Sequence, residues 1–275
     1  MNQRRRNVRT ITKLSLVAVL VSCGSESTTG TVESNTTSVA PSTSSTPDTT
    51  TSTSTTTTTT TTTTVPPGTP SGPVAPVVPV DGMAPVIRKV DTTDNVVFLT
   101  IDDGIVRDPA AMDFIVENEW PVTLFLVSGE FKEDPAYFAR VLEVGGTISS
   151  HTLGHPTLKG MDVEDQAHQI CAMTDLIRST LGDVGHLMRP PFGSWDKNTQ
   201  RATASCGLNA VVLWNSSLWE GNIDIMHRKL LQPGDIFLTH FRRDLLSNLQ
   251  TLKAWLDWSG FTLGRLQDYL PLAPG

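Results

Sequence analysis

The chain has 275 residues and a formal net charge of −7, with 21 Lys and Arg against 28 Asp and Glu. This acidic balance argues against nucleic acid as a partner, because binding to phosphates requires clustered positive charge. The length is enough for one or two domains, but Ser and Thr dominate a long segment near the N terminus, so the chain is not uniformly globular.

The first 23 residues have the composition of an export signal. Residues 1–13 carry five Arg and Lys and no acid, and residues 14–22 form a short apolar run. Because that run is too short to span a bilayer as a stable helix, the pattern predicts a secretory signal peptide. LVSC at 20–23 also resembles a bacterial lipobox, in which Cys23 would be lipidated; the alternative is an ordinary signal peptide with an incidental cysteine. We expect an exported protein, either anchored to the cell membrane as a lipoprotein or secreted.

Residues 24–83 are predicted to form a linker. Ser and Thr make up most of residues 24–64, and residues 65–80 are rich in Pro, Gly and Val. Such a segment buries too little apolar surface to offset its chain entropy. We therefore expect a disordered Ser/Thr-rich stalk with a stiffer Pro-rich end, carrying a domain at 84–275.

Apolar strands and amphipathic helices alternate through residues 84–275. The predicted strands are 95–101, 122–127, 146–150, 186–189, 209–214 and 235–239. The predicted helices lie near 109–118, 135–144, 163–181, 195–205, 223–231 and 243–257. Repeated strand–helix units predict a parallel sheet with helices outside it, and six or seven units favour a closed or nearly closed barrel. In that architecture the chemistry gathers at the C-terminal ends of the strands.

Titratable side chains follow four of the predicted strands. They are Asp102 and Asp103, His151 and His155, Arg189, and His240. Asp-Gly alone is a common turn signal, but two adjacent carboxylates repel each other unless a cation holds them. In a helical turn, a spacing of four residues aims two imidazoles the same way. Their position at strand ends therefore favours a functional cluster.

Two imidazoles and one carboxylate make a three-ligand metal site that leaves room for water, as catalytic zinc requires. A second carboxylate beside such a site can take a proton from that water. Arg189 could pair with this second acid and keep its pKa low. The sequence thus predicts a metal site in which Asp102 and Asp103 divide the two tasks.

Three cysteines are present. If Cys23 is lipidated, Cys171 and Cys206 remain, and an exported protein could pair them as a disulfide. Pairing requires their Cα atoms to lie within about 7 Å of each other, which their positions in the sequence do not fix.

Four motifs occur in a fixed order: TIDDG at 100–104, SHTLGHPTL at 150–158, RPPFG at 189–193 and FLTH at 237–240. Together they resemble the polysaccharide deacetylases, carbohydrate esterase family four, with their chitooligosaccharide-deacetylase homology domain. The resemblance covers most of 90–270. It implies a distorted (β/α)7-type barrel that removes acetyl groups, N-acetyl above all, from a cell-envelope or other extracellular polysaccharide. It also implies a divalent metal cofactor, Zn²⁺ or alternatively Co²⁺ or another divalent ion.

The resemblance implies roles by position. Asp102 would be the catalytic base, Arg189 would orient it, and His240 would protonate the departing amine. The metal ligands would be Asp103, His151 and His155. Groups that hold the substrate would be the backbone N–H of Phe192 at the oxyanion, with Trp219 and Leu238 lining the acetyl pocket. The expected partners are an acetylated glycan and, through the lipid anchor, a membrane.

One segment departs from the family pattern. The family usually has an Asp-Trp pair before the strand that carries the acid histidine, whereas Leu218 precedes Trp219 here and no Asp lies between 211 and 221. An imidazole without a carboxylate partner has a lower pKa, so less of it carries the proton that a general acid must donate near neutral pH. Two alternatives stay open: a hydrolase of a non-sugar amide on the same scaffold, and a catalytically weak glycan-binding domain. Binding alone, however, would not need the free Asp102.

Overall fold

The computed structural model describes residues 68–183, 185–226 and 228–272. The predicted signal peptide, the lipobox and most of the predicted stalk lie outside these residues. From residue 68 onward the predicted linker runs along the domain. The Ser71 N–H donates to the Asp94 carboxylate at 3.1 Å, and the Val77 N–H donates to the Pro271 carbonyl at 2.9 Å. Residues 68–83 therefore contact the domain that they precede.

A curled sheet of ten strands forms the centre of the described domain. The strands are β1 (Val86–Ile87), β2 (Val96–Asp103), β3 (Thr123–Leu126), β4 (Thr147–Ser150), β5 (Leu187–Met188), β6 (Ala210–Val212), β7 (Ser216–Trp219), β8 (Asn222–Asp224), β9 (Ile236–His240) and β10 (Thr262–Leu263). Their order is β1-β6-β5-β4-β3-β2-β9-β7-β8, with β10 paired to β2. Since β1 and β8 lie at opposite edges, the sheet is an open half-barrel. The predicted α/β barrel-type class is confirmed.

All pairings between these strands are parallel except that of β7 with β8. Helices connect and cover the parallel strands, as such connections require. They are α1 (Pro109–Glu117), α2 (Ser128–Glu133), α3 (Pro135–Ala139), α4 (Val163–Leu181), α5 (Lys197–Ser205), α6 (Leu245–Ser259) and α7 (Leu266–Tyr269). Within the residues that the structure describes, no helix combines the length and hydrophobicity needed to cross a membrane.

The helix predicted at 223–231 is wrong. Its first residues belong to β8, which forms an antiparallel hairpin with β7. The two residues of the turn, Glu220 and Gly221, have φ of 49° and 73°, as in the two-residue turns that match the twist of a hairpin. After β8, the Asp224 side chain accepts a hydrogen bond from the Met226 N–H at 3.0 Å, which closes a local turn instead of starting a helix.

Strand β2 explains where the functional residues lie. All eight of its residues are buried, as expected for a central strand covered on both faces. Val97, Leu99 and Ile101 pack in the layer between sheet and helices, whereas Val96 and Phe98 pack in a second cluster on the other face. The apolar run ends in two acids, so a continuous hydrophobic strand delivers two carboxylates to its C-terminal end.

Cys171 of α4 and Cys206, directly after α5, form a disulfide with a Cα–Cα distance of 5.0 Å across 35 residues of sequence. It ties α4, which packs against β4, to α5, which packs against β6. Residues 171 and 206 both lie next to a small apolar cluster that also includes Leu158 and Ile170.

Replacing both cysteines with serine is expected to lower the free energy of unfolding by about 2–4 kcal/mol, because the cross-link limits the conformations of the unfolded chain. Urea denaturation followed by circular dichroism measures this change. Wild-type protein with the disulfide reduced is the control, since it should unfold at a midpoint close to that of the double variant. Equal midpoints for oxidised and reduced wild type would contradict the expectation.

Candidate metal and acid–base site

The C-terminal ends of four strands meet at one edge of the sheet. Asp102 on β2 lies opposite His240 on β9 in the strand register. Ser150 of β4 pairs with Met188 of β5, so the residues that follow them, His151 and Arg189, emerge side by side. The convergence that the sequence predicted at strand ends is therefore present in the fold.

The two adjacent acids face the same site because the strand pleat is broken between them. In a regular strand, successive side chains point to opposite faces. Asp103 has a φ of 77°, a left-handed conformation that costs a non-glycine residue of the order of 1–3 kcal/mol. As a result both carboxylates approach His151: its Nε2 lies 3.7 Å from Asp102 Oδ2 and 3.6 Å from Asp103 Oδ1.

Three groups form a donor set suited to a divalent cation. Asp103 Oδ1 lies 3.6 Å from His151 Nε2 and 3.4 Å from His155 Nε2, and ligand atoms of all three residues lie within 4.8 Å of one another. Atoms bound tetrahedrally at about 2.1 Å to one ion are about 3.4 Å apart. One carboxylate and two imidazoles at these separations therefore fit a divalent metal.

The fold fixes which nitrogen of His151 faces this set. His151 Nδ1 lies 2.8 Å from the Arg189 carbonyl oxygen, so it carries the proton and donates it there, and Nε2 presents its lone pair to the site. Burial, opposed by this hydrogen bond and by the charge of Asp103, lowers the pKa of His151 to about 3. The imidazole is thus neutral, the form that binds metal.

The two histidines do not lie on a helical turn, contrary to one basis of the sequence prediction. Thr152 and His155 have φ of 75° and 57°, and this irregular turn brings the two imidazole rings to a centroid distance of 5.0 Å. Helix α4 holds the turn, because the Gln169 side chain accepts a hydrogen bond from the Gly154 N–H at 2.9 Å. The spacing of four residues was informative, although a different backbone geometry produces the convergence.

Electrostatics also favour an ionised Asp103. Burial alone would raise its pKa, but a hydrogen bond from His155 and the nearby imidazoles of His151 and His240 bring the pKa below the ordinary value. A carboxylate that stays ionised is the form that binds a cation.

Arg189 and Asp102 form a buried ion pair. Both are almost fully enclosed, with 0% and 2% of their surface exposed, and Arg189 Nη1 lies 2.8 Å from Asp102 Oδ1. Arg189 Nη1 also donates to the Thr100 hydroxyl at 2.6 Å, and its Nε and Nη2 donate to the carbonyls of Val212 and Leu213, each at 3.2 Å. Burial raises the pKa of Asp102, and the charge of Arg189 acts against this rise. The pair fixes the orientation of Asp102.

His240, on β9, lies beside the same two carboxylates. Burial lowers its pKa, although the charges of Asp102 and Asp103 act in the opposite direction. Its ring meets the Trp219 ring edge-on, with centroids 6.5 Å apart. Among the described residues no carboxylate makes a hydrogen bond with His240, in agreement with the missing Asp before Trp219. The structure thus adds burial as a further cause of the low pKa of His240.

The residues predicted to hold the substrate lie near the two histidine-bearing strand ends. Phe192 is 70% exposed, and the centroid of its ring lies 4.8 Å from that of His155. Its φ of 60° is a strained backbone conformation for a residue other than glycine. Trp219 is 46% exposed. Leu238 lies two residues before His240 and thus on the same face of β9. Their roles toward a substrate stay predictions.

Two residues near the site were missed by sequence reasoning. Thr100, whose hydroxyl bridges Arg189 and the Phe237 carbonyl, lies two residues before Asp102 on the same strand face, and that spacing was a usable signal. Arg242 lies with its guanidinium carbon 4.6 Å from the centre of the Trp219 ring. No sequence pattern indicates this contact, because it depends on the hairpin of β7 and β8.

Comparisons with known proteins agree with this geometry. A family model described as polysaccharide deacetylase matches residues 89–211. An uncharacterised protein of Streptomyces coelicolor is 39% identical over 198 residues, which cover 68% of this chain and 78% of that protein. A chitooligosaccharide deacetylase of Sinorhizobium fredii is 29% identical over 154 residues, covering 52% of this chain and 71% of the relative.

Solved structures add a similarity in fold. The chitin deacetylase from the fungal pathogen Colletotrichum lindemuthianum matches with a TM-score of 0.59 and 22% identity, over 72% of this chain and 95% of that structure. At this identity the match shows a shared fold and carries no statement about substrate.

Proposed function

This chain belongs to the polysaccharide deacetylase family, and from that premise we propose that it is a divalent-metal-dependent hydrolase that removes N-acetyl groups from a polysaccharide. The observation that carries the proposal is that two units lie side by side at one edge of the sheet. One is the donor set of Asp103, His151 and His155, and the other is Asp102 fixed by Arg189. A cation site without a neighbouring base would bind but not hydrolyse.

The proposed division of labour follows from the distances. Asp103, His151 and His155 would hold the cation, which when bound polarises the amide carbonyl and lowers the pKa of a water molecule. Asp102 Oδ2 faces the donor set at 3.7 Å from His151 Nε2, so Asp102 is the group that accepts the proton of the attacking water. As the proton leaves, the water oxygen bonds to the carbonyl carbon of the acetyl group.

The remaining groups of the site complete the hydrolysis. The Phe192 N–H stabilises the oxyanion that forms on the acetyl oxygen. His240, opposite Asp102 in the register, donates a proton to the sugar nitrogen as the C–N bond breaks. Acetate and a free amine are the products. Trp219 and Leu238 line the pocket for the acetyl methyl group.

A non-sugar amide is the second candidate substrate. It is favoured by the departure at 213–221, where Leu218 precedes Trp219 and His240 lacks a carboxylate partner among the described residues. A histidine of lower pKa, such as His240, suits a different leaving group from the one that suits a histidine paired with a carboxylate.

The proposed location is outside the cytoplasm. It rests on the basic and apolar N-terminal segment, the lipobox-like LVSC at 20–23 and the Ser/Thr-rich residues that follow. A tethered enzyme would meet the glycans of its own envelope before distant polymers. We therefore favour an envelope polysaccharide as the substrate, with Zn²⁺ as the metal and Co²⁺ as an alternative.

Acetate release is expected to require a divalent metal. Protein treated with a chelator should lose its activity on N-acetylated glycans, and added Zn²⁺ or Co²⁺ should restore it, because the cation supplies the electrophile. Released acetate is measured over a panel of N-acetylated glycans, O-acetylated glycans and non-sugar N-acetyl amides. Metal content by mass spectrometry provides a reading that is independent of turnover.

The panel separates the candidates. Release only from the non-sugar amides would replace the first proposal by the second. Bound metal without acetate release from any compound would instead indicate a binding domain. Activity that survives complete metal removal would contradict the proposed mechanism altogether.

A further inference from the structure

A second cationic group, Arg242, lies beside the site and is not used by the proposed chemistry. Arg242 follows His240 by two residues, and its backbone N–H donates to the His240 carbonyl at 2.8 Å. Its guanidinium lies over the Trp219 ring at 4.6 Å. The Trp219 indole therefore contacts both the Arg242 guanidinium and the His240 imidazole, which is proposed to protonate the leaving amine.

The guanidinium is free to bind a ligand. Within 68–183, 185–226 and 228–272, no carboxylate forms an ion pair or a hydrogen bond with the Arg242 side chain. The charges of Asp244 and Arg242 interact, but the two side chains form no ion pair, and Asp244 Oδ2 accepts hydrogen bonds from the Glu220 N–H at 2.8 Å and from Asn248 Nδ2 at 3.1 Å. Stacking uses only the flat face of a guanidinium, so the N–H donors in its plane stay available.

The indole under this guanidinium is held in place by helix α6. The Gly221 N–H donates to Asn248 Oδ1 at 2.8 Å, and the Thr251 hydroxyl donates to the Gly221 carbonyl at 2.9 Å. Together with the bond from Glu220 to Asp244, these contacts fix the turn that follows Trp219. A stacked arginine on a fixed support loses little side-chain freedom when it binds.

The local charge is unusual for this chain. The protein is acidic overall, with a net charge of −7, and the other arginine of the site, Arg189, is fully buried and neutralised by Asp102. Arg242 is only partly buried. A partly exposed guanidinium that forms no ion pair with a described carboxylate, and that lies beside Trp219 and His240 in an acidic protein, points to an anionic ligand.

We propose that Arg242 binds a carboxylate of the substrate, so that the preferred substrate is an N-acetylated glycan that carries carboxylates next to the acetylated sugar. The inference rests on the proposed deacetylase function and narrows its substrate class. A guanidinium matches the two oxygens of a carboxylate with two parallel hydrogen bonds. The same fork also fits a phosphate, and the experiment includes a phosphorylated glycan for that reason.

The test compares three N-acetylated oligosaccharides of equal length: one neutral, one with a carboxylate substituent and one with a phosphate monoester. For wild-type protein we expect the highest kcat/KM on the carboxylate compound. Arg242→Gln should lower the ratio of kcat/KM on the carboxylate compound to that on the neutral compound by about ten- to a hundredfold. Arg242→Lys keeps the charge but not the fork, and should restore only part of the ratio.

Arg243→Gln is the matched control, since Arg243 is the exposed neighbour in sequence and its loss should leave the ratio unchanged. An unchanged ratio in Arg242→Gln, or a wild-type preference for the phosphate compound, would overturn the inference while the deacetylase function stands. Calorimetric titration with the carboxylate compound gives a second reading. Binding that depends on Arg242 without any acetate release would keep the inference and refute the proposed reaction, whereas absence of both would overturn the two together.

Discussion

Replacing Asp102 with asparagine is expected to lower kcat for acetate release by about 10²- to 10⁴-fold, while the protein still binds its metal. The amide cannot accept the proton of the attacking water, but it keeps the shape of the side chain and an oxygen for Arg189. The donor set of Asp103, His151 and His155 is left intact. Steady-state kinetics and metal content, measured on the same preparation, check both halves of this prediction.

The same change affects stability, since Asp102 is the only described carboxylate that pairs with Arg189. Leaving the Arg189 charge buried without a counter-ion costs about 3–5 kcal/mol, so thermal unfolding should be shifted to lower temperature. Asp102→Glu keeps the charge but displaces the oxygens, and should therefore fold while remaining impaired in turnover. Asp257→Asn, on the surface of α6, is the control for loss of a carboxylate. Near-normal kcat in a folded Asp102→Asn protein would remove the base assignment.

The arrangement of strands and helices followed from hydrophobic pattern. The run 95–101 predicted a strand, and β2 occupies Val96–Asp103 at the centre of the sheet. The long amphipathic segment at 163–181 is α4 with the same bounds. These elements were predictable because burial on one or both faces imposes a repeat on the residue order.

The edge of the sheet was harder to predict. At 216–224 the hairpin of β7 and β8 replaces the start of a predicted helix. Ile223, Met226 and Leu230 keep a helical spacing, whereas Ile223 and Ile225 keep the alternation of a strand. The decisive residues are Glu220 and Gly221, which make a tight turn with positive φ. The conformation of a short segment with a weak apolar pattern depends on its turn and on the strands that pair with it. A single sequence does not reveal this pairing.

The candidate site could be predicted in its members but not in its geometry. Strand ends carrying Asp102, His151 and His240 pointed to one cavity. The backbone is left-handed at Asp103 and at Thr152, which turns neighbouring side chains toward each other. Residue type does not signal it, because positive φ is uncommon for any residue other than glycine and rarest for β-branched residues such as Thr. Such positions hold only when the surrounding fold compensates their cost.

Arg189 links the two halves of the proposed machinery. Its guanidinium holds Asp102 at 2.8 Å, and its backbone carbonyl accepts the Nδ1 proton of His151 at 2.8 Å. The base and one metal ligand are thus positioned by a single fully buried residue. Arg189 directly follows β5, and the parallel pairing of β5 with β4 places its backbone beside His151.

Replacing His151 with alanine is expected to abolish both metal binding and turnover. The change removes one of the three proposed metal ligands. The tautomer of this ligand is fixed by the hydrogen bond to the Arg189 carbonyl. Because loss of an outer hydrogen-bond partner alone costs about 10- to 100-fold in metal affinity, loss of the ligand itself should cost more than about 100-fold. Competition against a chelating indicator measures the affinity, and acetate release at saturating Zn²⁺ measures turnover.

His168→Ala is the matched control, because His168 is exposed on α4 and its loss should change neither quantity. The contrast with Asp102→Asn is the informative part of the comparison. If the donor set and the base are separate units, one variant loses metal and activity while the other loses activity alone. A His151→Ala protein that is folded, retains wild-type metal affinity and releases acetate would mean that the cation, if needed, binds elsewhere, and the division of roles between Asp102 and Asp103 would fail with it.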